Sequence, residues 1–243
     1  MANAQVVTVQ SRTPDRSKEP YYRPDCLHAS LRRFAEKATV LGGDSSWEGL
    51  NTKSFLYRDW LRAGNNTSDR LILVDAFDVI FLQHPHGLGD RCIEWFGEDA
   101  VVYNGEHGMW PRGDLSDHFP DTGRWRYLNS GVIFGSADNL LKLFEAMDLE
   151  SIGVDRIEPD GTRIQPNDQG IHQEFYVQQP VKMVVDGSCK LAMTFSATTD
   201  EEFELRDRVL YNKVHGTTPG IGHFNGSGMN DHFHKFLDHW ELP

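Results

Sequence analysis

The sequence predicts an α/β fold in which helical crossovers join the strands of a mostly parallel sheet. Two observations carry that expectation. From residue 5 to residue 75, short apolar runs alternate with amphipathic helical patterns, in the order strand-helix-strand-helix-strand. The last of these runs, Leu71-Ile72-Leu73-Val74, is continuously apolar, as a strand covered on both faces must be.

Taken in order, Gln5 to Val9 is a short β-branched strand. A polar loop rich in Pro and Arg, SRTPDRSKEPYYRP, follows and is long for a compact domain. Pro24 and Asp25 open a helix with Leu27, Leu31, Phe34 and Ala35 on one face. Ala38 to Leu41 is the second strand. A Gly/Ser/Asp loop, Gly42 to Gly49, holds Trp47, and Asn51 is placed to cap a helix whose apolar face carries Phe55, Leu56, Trp60 and Leu61. After Gln83 comes a polar turn, HPHG, then a helix around Asp90 to Phe96 and a strand from Ala100 to Asn104. Gly105 to Arg126 reads as a loop containing Trp110, Pro111 and Trp125. Tyr127 to Gly135 is a strand with a polar interruption at Asn129-Ser130-Gly131, and Asn139 to Met147 a helix. A polar loop runs to Pro166, and Asn167 then caps a helix with Asp168 in its first turn. Val181 to Val185 is a strand, Tyr211 to Val214 and a Gly-rich run from Gly220 to Gly226 follow, and a helix from about Met229 to Trp240 closes the chain. Without repeats or low-complexity tracts, 243 residues suit one domain.

Composition narrows the function classes. A net charge of -12 argues against nucleic acid as partner, because phosphates demand a basic face. Cys26, Cys92 and Cys189 are widely spaced, without CxxC, and read as ordinary thiols. MANAQVVTVQ lacks the apolar core of a signal peptide and no run is long enough for membrane insertion, so a cytoplasmic protein is the default expectation.

Four constellations could carry chemistry. Asp75 and Asp78 follow the buried strand Leu71–Val74, where open α/β sheets place their ligands. Hard carboxylate oxygens there suit Mg²⁺ or Mn²⁺ with a substrate phosphate; a turn cap and a solvated Asp fit the same spacing. Trp110 with Glu106 resembles the aromatic and carboxylate lining of a sugar site, and a core plug is the other reading of a Trp. Asn129-Ser130-Gly131 with Asp168-Gln169 could hold hydroxyl groups or merely form turns and caps. His223 to Gly228 (HFNGSG) sets an imidazole and an Asn in a Gly-rich loop, able to complete a metal site or to serve structure alone. Neither GxGxxG, a P-loop, GxSxG nor HExxH occurs. Two carboxylates and a distant imidazole fit a cation holding a diphosphate, the chemistry of transfer from a nucleotide sugar.

Eight segments, in one order, resemble the glycosyltransferase domain of the procollagen lysyl hydroxylase family, itself related to procollagen galactosyltransferases. They are VVTVQSR, the Trp47 loop with Lys53, LILVDAFDVIF, YNGEHGMWP, RYLNSGVIFG, NDQ, VVDGSCKLAMTF and GHFNGSG. No segment resembles the hydroxylase part of those enzymes. The resemblance implies a GT-A-like, Rossmann-related fold with a mixed, mostly parallel sheet flanked by helices. It divides the chain into a nucleotide-binding half, about residues 1–104, and a sugar and acceptor half, about 105–243. It implies a UDP-sugar donor, Mn²⁺ (or Mg²⁺) on Asp75, Asp78 and His223, and a protein or glycan acceptor. Thr8 and Phe77 would lie along the uridine, and Lys53, Asn225 and Gly226 near the diphosphate. Trp110, Asn129, Asp168 and Gln169 would line the sugar or acceptor side, with Asp168 closest to the reacting sugar. Two departures stand out: the family's Asp-rich run is reduced to Pro166-Asn167-Asp168-Gln169, and Phe224 is inserted between His223 and Asn225. Two rival expectations are a non-catalytic UDP- or glycan-binding module and a metal-dependent phosphoesterase.

Overall fold

The computed structural model describes residues 4–10, 25–43, 45, 49–152, 156–157, 163–164, 167–226 and 232–242. The Pro- and Arg-rich loop, Pro24, Trp47, Pro166, Ser227, Gly228 and the expected helix start at Met229 lie outside the described residues.

The strands are β1 (Ala4–Val9), β2 (Ala38–Leu41), β3 (Arg70–Val74), β4 (Val79–Phe81), β5 (Val101–Glu106) and β6 (Tyr127–Ser136), then the two-residue pair β7 (Arg156–Ile157) and β8 (Arg163–Ile164). After these come β9 (Met183–Asp186), β10 (Ala192–Thr194), β11 (Phe203–Arg206), β12 (Val209–Asn212) and β13 (Ile221–His223). The main helices are α1 (Cys26–Arg32), α2 (Thr52–Arg62), α3 (Pro85–Phe96), α4 (Ala137–Ala146), α5 (Leu149–Ile152) and α6 (Asp168–Gln178), with a last helix at Phe233–Trp240.

Six strands form the central sheet in the order β2-β1-β3-β6-β5-β9. Only β6 opposes the rest, since it pairs antiparallel with both β3 and β5 while the other pairings are parallel. Alternation along β3 explains why its sequence is apolar throughout. Leu71 and Leu73 join a core with Tyr57, Trp60 and Leu61 of α2 and Leu140, Leu143 and Phe144 of α4. Ile72 and Val74 join the opposite core, with Leu27 and Leu31 of α1 and Leu88 and Cys92 of α3. Each such side chain contributes about 1.5–3 kcal/mol on burial, so the sheet is fixed from both sides. All three cysteines are buried free thiols. Among the described residues no helix is long and apolar enough to cross a membrane.

A second sheet, β10-β13-β4, packs a third core of Phe195, Phe203, Phe224, Phe233, Phe236 and Trp240. The inserted Phe224 belongs here: its ring stacks on Phe195 at 4.6 Å, fully buried.

Several element ends differ from the sequence reading for local reasons. α1 stops at Arg32 and Ala35 turns into the left-handed region at φ 58°, so Phe34 and Ala35 leave the helical face. Asn51 precedes α2 without a side-chain cap. The helix expected from Asp90 begins at Pro85, because His84 is extended and its ring accepts from the His86 amide, with Pro at the first helical position. Asn167 does cap α6, accepting from the Gly170 amide.

Candidate active site

The site lies where β3, β6 and the second sheet meet. β3 ends at Val74, and Asp75 continues its pairing by donating its amide to the Gly131 carbonyl at 2.9 Å. Four residues later the chain enters β4, whose Val79 pairs with His223 of β13. That register places Asp78 beside His223, and the Phe224 amide donates to the Asp78 carbonyl. Residues 145 apart in sequence are thereby brought together by main-chain pairing. His223 Nε2 lies 3.4 Å from Asp78 Oδ2 and 3.8 Å from Asp75 Oδ2. One ligand atom from each of the three lies within 4.8 Å of the others.

The donor set fits a divalent cation. Among the described residues His223 Nε2 is buried without a hydrogen-bond partner, a costly arrangement unless something else occupies it. The imidazole is 2% exposed, while the Asp75 and Asp78 carboxylates keep 30% and 22% of their surface, so the cluster is open on its carboxylate side. Burial pushes the Asp75 carboxyl up, with the neighbouring Asp78 adding to it and Lys53 opposing. Burial acts against the charge of Asp78, but the His223 imidazole, Lys53 and a backbone hydrogen bond together hold it below its usual value.

A bulge in β6 builds the other wall. Tyr103 opposes Ile133, but the next residue, Asn104, opposes Asn129, so Ser130, Gly131 and Val132 loop out of register. This is the polar interruption visible in the sequence. Asn104 fills the gap: its Oδ1 accepts from the Val132 amide and its Nδ2 lies 3.1 Å from His223 Nδ1. The Ser130 hydroxyl donates to Asp168 Oδ2 at 2.6 Å. Lys53, in the first turn of α2, bridges Asp75 at 2.7 Å and Asp168 at 2.8 Å. Burial would lower the Lys53 ammonium, but the two carboxylates overcome that and raise it above the usual lysine range. Against the same burial, Lys53 and the Ser130 hydroxyl hold Asp168 ionised, below its ordinary value.

Glu106, at the end of β5, is the hub of the remaining polar groups. It accepts from Asn129 Nδ2, Gln169 Nε2 and Asn225 Nδ2. Burial nevertheless pushes it up to about 7, against those three amides. Gln169 also donates to the Trp110 carbonyl, as does Gln173. Trp110 itself is 59% exposed; the plug is instead Trp125, fully buried with its Nε1 donating to the Thr194 carbonyl.

Of the sequence candidates, Asp75, Asp78, His223, Lys53 and Asp168 form one network, and Asn129, Gln169, Asn225 and the Trp110 carbonyl gather on Glu106. Thr8 is fully buried with its hydroxyl committed to the Val74 carbonyl at 2.8 Å. Phe77 is half-buried in the turn between Asp75 and Asp78, and Gly226 is exposed with φ 54°. Asn104 and Gln173 were not singled out in the sequence. Asn104 carries the same signal as Asp75, a polar residue at the end of an apolar strand.

Next to the network, His172 is fully buried, with its Nδ1 hydrogen-bonded to the Tyr103 hydroxyl 2.6 Å away. Burial pushes its imidazole down to about 4, despite Asp168 nearby. The unfolded chain binds this proton below about 6.5, so His172 contributes stability above that pH and loses it as pH falls toward 4. The interval corresponds to about 3 kcal/mol. His172→Gln, which keeps a hydrogen-bonding side chain beside Tyr103, is expected to flatten the fall in urea stability between pH 6.5 and 4; an unchanged slope would refute the assignment.

Residues 2–237 match the family described as PLOD GT domain. The chain belongs to that family. Over 241 residues it is 25% identical to the multifunctional procollagen lysine hydroxylase and glycosyltransferase of Caenorhabditis elegans, covering 91% of this chain and 30% of that protein. It is 25% identical over 215 residues to procollagen-lysine,2-oxoglutarate 5-dioxygenase 2 of Mus musculus, covering 82% of this chain and 27% of that one. The chain thus spans less than a third of the length of these relatives. A glycosyltransferase involved in glycosylation of the major capsid of PBCV-1 superposes with TM-score 0.52 at 10% identity, over 98% of this chain and 99% of that one. The galactosyltransferase LgtC, solved with donor and acceptor sugar analogs, superposes with TM-score 0.54 at 14% identity, over 98% and 96%. The fold of this PLOD GT domain member is therefore GT-A, with its mixed, mostly parallel sheet flanked by helices.

Proposed function

We propose that this glycosyltransferase domain moves a hexose, glucose or galactose, from a UDP-sugar to a hydroxyl acceptor, with Mn²⁺ (or Mg²⁺) on Asp75, Asp78 and His223. The observation that carries the reading is the convergence of these three donors beside the Lys53–Asp168 pair. When bound, the cation acts as a Lewis acid on the diphosphate leaving group. Lys53 adds a fixed positive charge on the same side, and residues up to about 104 supply the nucleotide half. Phe77 and the strand that carries the buried Thr8 lie along the uridine in this reading, and Asn225 and Gly226 beside the diphosphate. The half from about 105 onward supplies the sugar and acceptor side, through Trp110, Asn129, Asp168 and Gln169.

Asp168 is held as an anion below its ordinary value by Lys53, which suits stabilising positive charge at the reacting sugar better than taking a proton. Glu106, pushed up to about 7, is the carboxyl nearer the operating range of a proton acceptor. The acceptor is a hydroxyl on a protein or glycan, with hydroxylysine of a collagen-like protein the first candidate. Its relative in Caenorhabditis elegans is named as both a procollagen lysine hydroxylase and a glycosyltransferase.

The test is UDP release from a panel of UDP-hexoses, with and without Mn²⁺, followed by collagen-like peptide and glycan acceptors. Mn²⁺-dependent release from one donor is the expected result. UDP binding with no release from any donor or acceptor would favour a binding module. Cleavage of simple phosphodiesters instead would favour a phosphoesterase. Trp110→Ala removes an exposed aromatic face worth about 1–2 kcal/mol of contact, so it is expected to raise an acceptor or donor KM about 10-fold with the unfolding temperature unchanged. An unaltered KM for both substrates would remove Trp110 from the site.

A further inference from the structure

Among the described residues one other set of donor atoms converges, away from the glycosyltransferase residues. Glu36, His84 and His86 each offer a ligand atom within 4.8 Å of the others. Glu36 Oε1 lies 3.5 Å from His86 Nε2 and 3.7 Å from His84 Nε2. A tetrahedral ion with bonds of about 2.1 Å has ligand–ligand edges of about 3.4 Å, so these two edges are already close to the required length. The two imidazole centroids stand 4.8 Å apart, tilted by 50°.

Local structure explains the convergence. Ala35 in the left-handed conformation ends the turn after α1, and the Glu36 amide donates back to the Leu31 carbonyl. That turn sets Glu36 against the start of α3, where the extended His84 and Pro85 fix where the helix begins. His86 follows in the first turn. The side chains of Glu36 and His86 are each 27% exposed and His84 46%, so an ion and its waters have access.

The donor chemistry differs from that of the active site. Two imidazoles with one carboxylate suit a borderline cation, whereas an oxygen-rich pair with one imidazole suits a harder one. We propose that Glu36, His84 and His86 form a second metal site, for Zn²⁺ or a cation of like softness, that ties the turn after α1 to the first turn of α3. A cation at a helix N-terminus meets the positive end of the dipole, and the Glu36 carboxylate offsets this. Coordination through His84 Nε2 puts its proton on Nδ1, so the 3.3 Å bond from the His86 amide is given up. That bond is long, and little is lost with it.

The test is titration calorimetry of the full chain with Zn²⁺ in an Asp78→Asn background, which weakens the active-site donors. One Zn²⁺ per chain is expected. His86→Ala and Glu36→Gln should each lower its affinity about 100-fold or more, the upper range seen on losing supporting groups. His84→Asn keeps a helix-capping oxygen and so separates ligation from capping. Zn²⁺ should raise the unfolding temperature of the parent and leave that of the His84→Asn, His86→Ala double variant unmoved. Absence of Zn²⁺ binding by the parent, or equal binding by the double variant, would overturn the proposal. Both outcomes are independent of whether the domain transfers a sugar.

Discussion

Asp78→Asn is expected to lower Mn²⁺-dependent release of UDP from the preferred donor by about 1,000-fold, because Lewis-acid stabilisation is worth several kcal/mol and each 1.36 kcal/mol is tenfold. The choice of Asp78 over Asp75 follows from the pairing. Asp75 also neutralises the buried Lys53 ammonium at 2.7 Å, and breaking a buried ion pair costs about 3–5 kcal/mol. An Asp75 variant would therefore mix loss of metal with loss of fold. Among the described residues Asp78 pairs with no lysine or arginine; its ion-pair partner is His223 at 3.4 Å, and Asn preserves its size. The check is a rate measured against Mn²⁺ concentration, with thermal unfolding alongside. A rate within about threefold of the parent, at every Mn²⁺ level, would sink the metal assignment, since a real ligand removes far more than the scatter of a surface change.

What the sequence made legible follows from how local each feature is. The strand from Leu71 to Val74 and the carboxylates after it stand out because burial on both faces and a sudden polar end are written in consecutive residues. The cap at Asn167 is local in the same way. The bulge in β6 was visible only as three polar residues; what it accomplishes depends on Asn104, which reaches across from β5 to the Val132 amide. No periodicity carries that information. The pairing of His223 with Val79 is equally non-local: donor chemistry and the family resemblance both grouped this imidazole with the two carboxylates, but no local pattern shows that they meet. Phe224 illustrates the opposite hazard. As an insertion it threatens to displace Asn225, yet its ring is absorbed by the third core and Asn225 still reaches Glu106 at 2.9 Å.

Gly131→Ala should cost nearly as much activity as removing a ligand, for a purely steric reason. A Cβ at this position would lie 2.1 Å from His223 Cε1, 2.6 Å from its Nε2 and 2.8 Å from Asp75 Oδ2. Neither partner can step back easily. His223 is 1% exposed with Asn104 against its other nitrogen, and Asp75 is held by Lys53. Gly131 itself is fixed, its amide donating to Asn129 Oδ1 and its carbonyl accepting from Asp75. Its φ lies outside the left-handed region, so conformational freedom is not why Gly stands there. Overpacking of this kind costs about 1–3 kcal/mol, and at about 2–4 °C per kcal/mol for a chain of this size the unfolding temperature should fall by several degrees. The metal effect should be larger, since the methyl group displaces one ligand and crowds a second. A drop of about 100-fold in Mn²⁺ affinity and about 1,000-fold in kcat/KM is expected, by analogy with loss of a ligand or of its support. Gly43→Ala, where an added Cβ meets nothing within 4 Å, is the control. Full activity of folded Gly131→Ala would mean that the imidazole moves freely, and that Asp75, Asp78 and His223 do not act as one rigid site.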